Sequence, residues 1–309
     1  MKNKKIVVVG SSNTDMTVRL PHLPKPGETA LGGDFSMAAG GKGANQAVGA
    51  ARAGGSVTLV ARVGDDMFGN QALAEYAKDH INSDFVFQDA KAKSGVALIF
   101  VGKKSGENSI AVASGANSLL SVADVKKARK AITKASMLIL QLETPLATVE
   151  AAAEIASQAG VRIILNPAPA QRLSDKLLKH ISIFTPNQVE AEFYTGIKVS
   201  KTADAAKAAK KLISKGIETV IITLGARGSY VATKDVKKLV PSFKVKPIDT
   251  TGAGDIYNGA LAVALAKGKP ILEAARYANA AGALSATKLG AQPSAPTHKE
   301  IKSFLRKAK

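Results

Sequence analysis

Short, nearly uninterrupted apolar runs alternate along the chain with longer stretches in which apolar positions recur every three or four residues. Ile6–Val9, Val57–Ala61, Met137–Gln141, Val161–Leu165, Ile181–Phe184 and Thr219–Thr223 have strand length, and such continuous runs mark strands buried on both faces of a parallel sheet. The stretches between them carry helix ends. Thr144 is placed to cap a helix with Pro145 at its first position and Gly160 as its stop; Thr202 is placed to cap another that ends before Gly216. Repeated strand–helix units predict an α/β fold: a doubly wound, mainly parallel sheet flanked by helices.

Residues 17–38 and 94–112 break this rhythm. Thr17–Leu20, Val96–Val101 and Ser109–Ala113 are β-like, with no helix of useful length between them, so a small antiparallel sheet is expected beside the main one. It serves either as a lid or as a plain extension of the sheet. No linker or internal repeat interrupts the chain, so residues 1–309 are expected to form a single domain.

Composition changes this picture little. Hydrophobic residues make up 46% and charged residues 22%, the usage of a globular chain that buries a core. Cysteine is absent, which excludes disulfides, thiolate nucleophiles and Cys-ligated metals and fits a reducing compartment. Lys2, Lys4 and Lys5 precede only the short run Ile6–Val9, a first strand rather than a signal peptide. No apolar run reaches bilayer length. A cytoplasmic protein with no membrane partner is expected.

The net charge of +19, from 43 basic and 24 acidic residues, suggests either a polyanionic partner or solvated lysine-rich helix faces beside an anionic small-molecule substrate. The basic residues are spread out: Lys126, Lys127, Arg129 and Lys130 fall on one predicted helix, Lys207, Lys210 and Lys211 on another, Lys299, Lys302, Arg306 and Lys307 on the last. No aromatic residues interleave with them and Trp is absent, so no base-stacking platform and no specific nucleic-acid partner is expected.

The segment with most chemistry is Asp249-Thr-Thr-Gly-Ala-Gly-Asp255, followed by the helical run Ile256–Lys267. Gly252 and Gly254 allow a tight bend and close approach of a ligand. The first amides of the helix then form an anion site at the positive end of its dipole, with Asp255 placed to take a proton from an attacking hydroxyl. An acidic helix cap is the plainer reading of the same residue. A P-loop is excluded because Gly43 follows Gly41-Lys42, where Ser or Thr is needed; the first strand leads into Gly10-Ser-Ser-Asn13, not a Gly-x-Gly-x-x-Gly turn.

Asn13, Asp15, Lys42, Asn45 and Glu143 stand near strand ends or open a helix, where ligands of α/β sheets bind; each alone is also a common turn or cap residue. Asn187 with Glu190 reads first as a capping box, and Thr223-Leu-Gly-Ala-Arg-Gly228 as a nucleotide loop or a plain turn.

Together these segments resemble the ribokinase family of carbohydrate kinases over essentially the whole chain, in order: Ser12–Asp15, Gly40–Ala47, Gln141–Glu143, Asn166–Ala170, Thr185–Asn187 with Glu190, Thr223–Gly228, Asp249–Asp255 and Gly290–Ser294. The resemblance implies ATP-dependent phosphorylation of D-ribose at its 5-hydroxyl. Asn13, Asp15, Gly41, Lys42, Asn45 and Glu143 would hold the sugar, Asp255 would be the base, and the amides of Gly252, Ala253 and Gly254 the anion hole. Asn187, Glu190, Thr223, Gly225, Gly228, Gly254 and Asn279 would serve the nucleotide, Asn187 and Glu190 organising Mg2+ through water. A monovalent cation, K+, would sit with Asp249, Ser294 and carbonyls of Thr251, Ser285, Lys288 and Gly290. The insertions would form a lid that pairs two subunits as a homodimer. Ile256 and Tyr257 replace Thr and Phe of the usual signature, and Asn279 replaces a frequent His at the nucleotide base. A kinase for deoxyribose, another pentose or a nucleoside is the nearest alternative, and a non-catalytic sugar- or nucleic-acid-binding regulator a more distant one.

Overall fold

The computed structural model describes residues 5–102 and 107–308; Lys2 and Lys4, and 103–106 of the second insertion, lie outside the described residues. The chain opens with β1 (Lys5–Val9), β2 (Asn13–Leu20), β3 (Asp34–Gly40), α1 (Lys42–Arg52), β4 (Ser56–Gly64) and α2 (Met67–Lys78). Next come β5 (Asn82–Asp89), β6 (Gly95–Gly102), β7 (Asn108–Ala113), α3 (Val122–Lys127), α4 (Arg129–Thr133), β8 (Met137–Leu140) and α5 (Leu146–Gln158). Then follow β9 (Arg162–Leu165), α6 (Asp175–His180), β10 (Ile183–Phe184), α7 (Gln188–Thr195), α8 (Thr202–Ile213) and β11 (Thr219–Thr223). The chain closes with β12 (Ser229–Ala232), β13 (Lys237–Val240), α9 (Ala253–Ala266), α10 (Ile271–Ser285) and α11 (His298–Lys307).

Nine strands form the main sheet in the order β13-β12-β11-β10-β9-β8-β1-β4-β5. From β11 to β5 every pairing is parallel; β12 and β13 add an antiparallel edge. The apolar runs are continuous because each strand feeds two cores. On β1 and β8, Ile6, Val8, Met137 and Ile139 pack with α1, α9 and α10 on one face. Val7, Val9, Leu138 and Leu140 pack with α3, α4 and α5 on the other. Each such side chain contributes about 1.5–3 kcal/mol by leaving water. Periodicity did not single out β5, β12 or β13: β5 alternates exposed and half-buried positions with Val86 its one buried residue, β13 is exposed over Lys237 and Lys238, and β12, though buried throughout, is four residues long and opens on Ser229.

A second sheet of four strands runs β3-β2-β6-β7. It is not antiparallel throughout, as the sequence suggested: β2 and β6 pair in parallel at its centre, with β3 and β7 antiparallel on either side. The reason is its origin. β1 and β5 are themselves part of a parallel array, and each passes through a short turn into β2 or β6, so both strands leave the main sheet in the same sense.

Several helix ends differ from expectation. Pro145 occupies the cap position and Leu146 opens α5, with no side-chain cap; Thr144 Oγ1 is buried without a partner. Lys201, not Thr202, precedes α8, and the Asp204 carboxylate accepts from the Ser200 and Lys201 amides. The basic run 126–130 is divided between α3 and α4 at Ala128. Its lysines, with those named on α8 and α11, are exposed, the arrangement of solvated helix faces.

Helices α1 and α9 cross at glycine. A Cβ on Gly259 would lie 2.5 Å from the Gln46 carbonyl oxygen and 2.6 Å from the Ala50 nitrogen, so only hydrogen fits there. This close crossing carries Asn45 and Gln46 up to the first turn of α9. Gly259→Ala is therefore expected to cost about 1–3 kcal/mol by overpacking, read by urea unfolding. Gly254→Ala, whose added Cβ would meet nothing within 4 Å, should leave stability unchanged or slightly raised.

Candidate active site

Helix α9 starts at Ala253, with Gly252 as its cap in the left-handed region (φ 73°) and no side-chain cap. Asp255 is therefore the third helical residue, and it does not cap the helix. Its buried carboxylate turns instead toward α1: Asn45 Nδ2 donates to Oδ2 at 3.0 Å and Gln46 Nε2 to Oδ1 at 2.9 Å. The helix start has no side-chain cap, but of the amides of Gly252–Gly254 expected to form an anion hole, that of Ala253 already donates to the Thr250 carbonyl at 3.2 Å.

Around Asp255 the structure gathers Lys42, Asp15, Glu143 and Glu190, four carboxylates to one ammonium. The charge of Asp255, then those of Glu143, Glu190 and Asp15, holds Lys42 protonated above its ordinary range in spite of burial. Burial pushes Asp255 up, and Lys42 and the Gln46 and Asn45 amides pull it back. Burial also pushes the Asp15 carboxyl up to about 6, with Glu143 and Asp255 adding to it and Lys42 opposing. Glu143 has a second duty. Its Oε2 accepts the Lys42 amide at 3.0 Å and the Ser11 hydroxyl at 2.5 Å, so it caps α1 across 101 residues of chain while Gly41 supplies the bend. A cavity of about 390 Å³ opens beside this cluster, lined by Asn13 and Glu143.

A second cleft, about 970 Å³, runs along the other side of α9's first turn. Asn187, Thr223, Gly225, Gly228, Gly254 and Asn279 all line it, so six of the seven residues expected to serve the nucleotide share one wall system; Val189, Phe243, Tyr257 and Ala283 add apolar surface. Glu190 stands apart. It completes the capping box of α7, with Oε2 accepting from the Asn187 amide and Oε1 from Asn187 Nδ2, both at 2.8 Å. Burial pushes it to about 6 against the Asn187 amide and Lys42. Asn279 spends its amide hydrogens on Val240 and Pro241 carbonyls (3.0 and 3.3 Å), which leaves Oδ1, an acceptor, as its remaining group. The substitutions at Ile256 and Tyr257 are packing changes: both are buried, and Tyr257 OH donates to Ser229 Oγ at 3.1 Å.

The segments named for a cation also meet. Asp249 Oδ2 accepts from the Gly290 amide at 2.9 Å, and Oδ1 from the Thr251 amide and hydroxyl. Although burial acts to raise it, these donors hold the Asp249 carboxyl below its ordinary range. Ser285 and Ser294 hydroxyls are 2.9 Å apart, and the Lys288 amide bonds the Ser285 carbonyl. Among the described residues no group of three or more His, Cys, Asp or Glu is arranged to hold a metal ion.

The profile described as pfkB family carbohydrate kinase matches residues 3–298. The chain belongs to the pfkB family of carbohydrate kinases. It is 47% identical to a ribokinase of Haemophilus influenzae, over 99% of both chains, and 36% identical to a deoxyribokinase of Salmonella typhi, over 97% of this chain and 98% of that one. A solved ribokinase of Arabidopsis thaliana, complexed with ribose and ATP, superposes with a TM-score of 0.89 at 31% identity, covering 99% of both chains. The larger cleft meets the first turn of α9 through Ala253 and Gly254, and the smaller cavity meets the charged cluster through Asn13 and Glu143; Asp255, Asp15, Lys42 and Asn45 line neither.

Reading the sequence missed two amides that the fold brings in. Gln46 bonds Asp255 directly. Asn117, in the turn after β7, donates to Asn13 Oδ1 at 2.7 Å and accepts the Ser12 amide at 2.8 Å, so Asn13 presents its NH2 to the smaller cavity. Neither residue type at its position carries a local signal; Gln46 lay inside a quoted motif but reads as one more polar helix residue.

The Asp15 carboxyl gives a test of the cluster's electrostatics. Its folded pKa of about 6 exceeds the ordinary 3.8, so the folded state holds that proton more tightly than the unfolded one. The associated stability is complete below about pH 4 and is lost as pH rises through about 6. Asp15→Asn, which mimics the protonated form, is expected to be the more stable protein at pH 8, by up to about 3 kcal/mol, and to lose that advantage at pH 4. Paired urea titrations at the two pH values check it.

Proposed function

We propose that this enzyme transfers the γ-phosphoryl group of ATP to the 5-hydroxyl of D-ribose, with Asp255 as the general base. The observation that carries the reading is Asp255 itself: a buried carboxylate, held by two amides, in the uncapped first turn of a helix whose Ala253 and Gly254 line the larger cleft. Ribose rather than deoxyribose is favoured because identity to the ribokinase relative exceeds that to the deoxyribokinase, 47% against 36%.

In this reading Asn13, Asp15, Gly41, Lys42, Asn45 and Glu143 hold the sugar hydroxyls. Asn45 Oδ1 is buried without a partner, as an atom reserved for a hydroxyl would be. Asp255 accepts the proton of the 5-hydroxyl; that oxygen forms a bond to the γ-phosphorus while the bond to the β-phosphate oxygen breaks, leaving ADP and ribose 5-phosphate. The amides of Gly252 and Gly254, with that of Ala253 when it turns from the Thr250 carbonyl, receive the charge on the transferring group, and Lys42 offsets part of the negative charge around it. Asn187, Thr223, Gly225, Gly228 and Asn279 form the nucleotide wall.

Mg2+ would neutralise charge on the phosphates when bound. Both Glu190 oxygens are engaged by Asn187, so Glu190 and Asn187 fit a role through water and not direct ligation, as is usual for Mg2+ on nucleotides. The cation loop presents only oxygen atoms: the Asp249 carboxylate, the Ser294 hydroxyl and carbonyls of Thr251, Ser285, Lys288 and Gly290, a donor set suited to K+. Its charge would steady the turn that sets the α9 amides.

The small sheet reads as a lid. One face carries Asp15 and Val112 in one register row, with Val112 lining the smaller cavity. The opposite face carries Phe35, Met37 and Leu98, 62%, 43% and 44% exposed. An apolar sheet face of this kind suits a second copy, and a homodimer follows. No helix among the described residues is long and apolar enough to cross a membrane. A cytoplasmic setting supplies ATP and suits a chain without cysteine.

Asp255→Asn keeps the shape of the site and removes basicity. Ribose-dependent ADP release in a coupled assay is expected to fall at least about a hundredfold, with nucleotide affinity and melting temperature near wild type. Turnover close to wild type would sink the base assignment. Potassium-free buffer at saturating ATP and Mg2+ is expected to lower the rate several-fold, and Asp249→Ala to abolish the difference; equal rates with and without potassium would remove the cation site.

A further inference from the structure

Gln46 is fully buried and belongs to none of the groups so far given a role. Its Nε2 donates to Asp255 Oδ1 at 2.9 Å and to Asn166 Oδ1 at 3.0 Å, and its Oε1 accepts from Gln141 Nε2 at 2.8 Å. Which end of an amide faces which partner is ordinarily ambiguous. Here a backbone group decides it. The Thr185 carbonyl can only accept, so the Asn166 NH2 must face it, at 3.2 Å. Asn166 Oδ1 is then the end that meets Gln46, so Gln46 must offer its NH2 there, and its second hydrogen falls on Asp255.

The chain of contacts closes on itself. The Thr185 hydroxyl donates to Asn258 Oδ1 at 2.7 Å, and Asn258 Nδ2 donates to the Gly254 carbonyl at 2.8 Å. The side chain of Asp255 and the peptide before it are thus both tied to the ends of β9 and β10 through one set of amides. A flipped Gln46 would set Oε1 against the Asp255 carboxylate and against Asn166 Oδ1, two acceptor–acceptor contacts in a buried site, which is strongly unfavourable.

Resting on the reading of Asp255 as the base, we propose that Gln46 is a positioning residue whose amide, oriented by Asn166 and the Thr185 carbonyl, keeps the Asp255 carboxylate ionised and turned toward the acceptor hydroxyl. A buried carboxylate loses the stabilisation of water, and a donated hydrogen bond favours its charged form. Asn45 supplies the same to Oδ2 but also belongs to the sugar wall; Gln46, behind the carboxylate, is free to act on the base alone. The charged groups facing Asp255 are Lys42 on α1, Asp15 on β2, Glu143 after β8 and Glu190 on α7. All stay in place when Gln46 is changed.

The test is the pH profile of kcat/KM for ribose in the full-length protein, with ATP and Mg2+ saturating. Gln46→Met keeps length and burial and removes the donor. Its acidic limb should move up by about one pH unit or more, with kcat about tenfold to a hundredfold lower and the KM for ATP within twofold of wild type. Should Gln46→Met not fold, Gln46→Glu, of equal length, carries the same expectation, because a second carboxyl there also disfavours the charged form of Asp255. A limb that stays put, with kcat within threefold of wild type, overturns the inference and leaves Gln46 a core amide.

Combining Gln46→Met with Asp255→Asn separates this from the base assignment. With no carboxylate to hold, the second substitution should cost less than threefold more; a further tenfold loss would place the effect elsewhere and overturn the inference. Asp255→Asn active by itself ends both claims, whereas an impaired Asp255→Asn beside Gln46 variants that titrate like wild type ends only this one.

Discussion

A carboxylate buried at the start of a helix has to be given hydrogen-bond donors, or it takes up a proton and ceases to be a base. That constraint organises the centre of this protein. Asp255 receives its donors from Asn45 and Gln46, which reach it only because α1 and α9 cross at Gly259 with room for no side chain. The same burial that threatens to neutralise the carboxylate removes the water that would screen its charge. Lys42 resolves part of the conflict, as its ammonium sits among four carboxylates that keep it charged.

The rest of the architecture serves that junction. The parallel strands end at a common edge, and from that edge come Glu143 after β8, Asn166 after β9, Thr185 after β10 and Thr223 at the end of β11. Glu143 is the clearest case of shared duty, since one of its oxygens accepts both the Lys42 amide at the first turn of α1 and the Ser11 hydroxyl after β1. Hydrogen bonds from two groups at this edge, Asn166 and Thr185, to Gln46 on α1 and Asn258 on α9 tie the strand ends to both helices. The small sheet, entered directly from β1 and β5, brings Asp15 over the same edge without a hinge of any length.

The net charge has a more modest role. The lysines on α3, α4, α8 and α11 face solvent, while two half-buried arginines are paired: Arg52 with Asp79, Arg62 with Asp89 and Asp124. Excess positive charge on the outside of a protein that takes a polyanionic substrate aids solubility and encounter.

Much of this was legible without coordinates, and the division has a physical basis. Strands buried on both faces need apolar residues at every position, so β1, β4, β8, β9 and β11 announced themselves, whereas β5 and β13 leave positions exposed and β12, though buried, is only four residues long. Gly252 and Gly254 before an acidic residue pointed to an anion site because that local chemistry depends on neighbours in sequence, as does the Asn187–Glu190 capping box. Gln46 and Asn117 were silent because an amide's partner lies anywhere in the fold: Gln46 meets Asp255 across 209 residues, Asn117 meets Asn13 across 104. The starts of α5 and α8 were each misplaced by one residue, because Pro145 and Lys201 take the cap positions expected of Thr144 and Thr202. Local hydrogen bonding and two-sided burial are written in the order of residues. Which buried polar group faces which is decided only when the helices and strand ends are packed together.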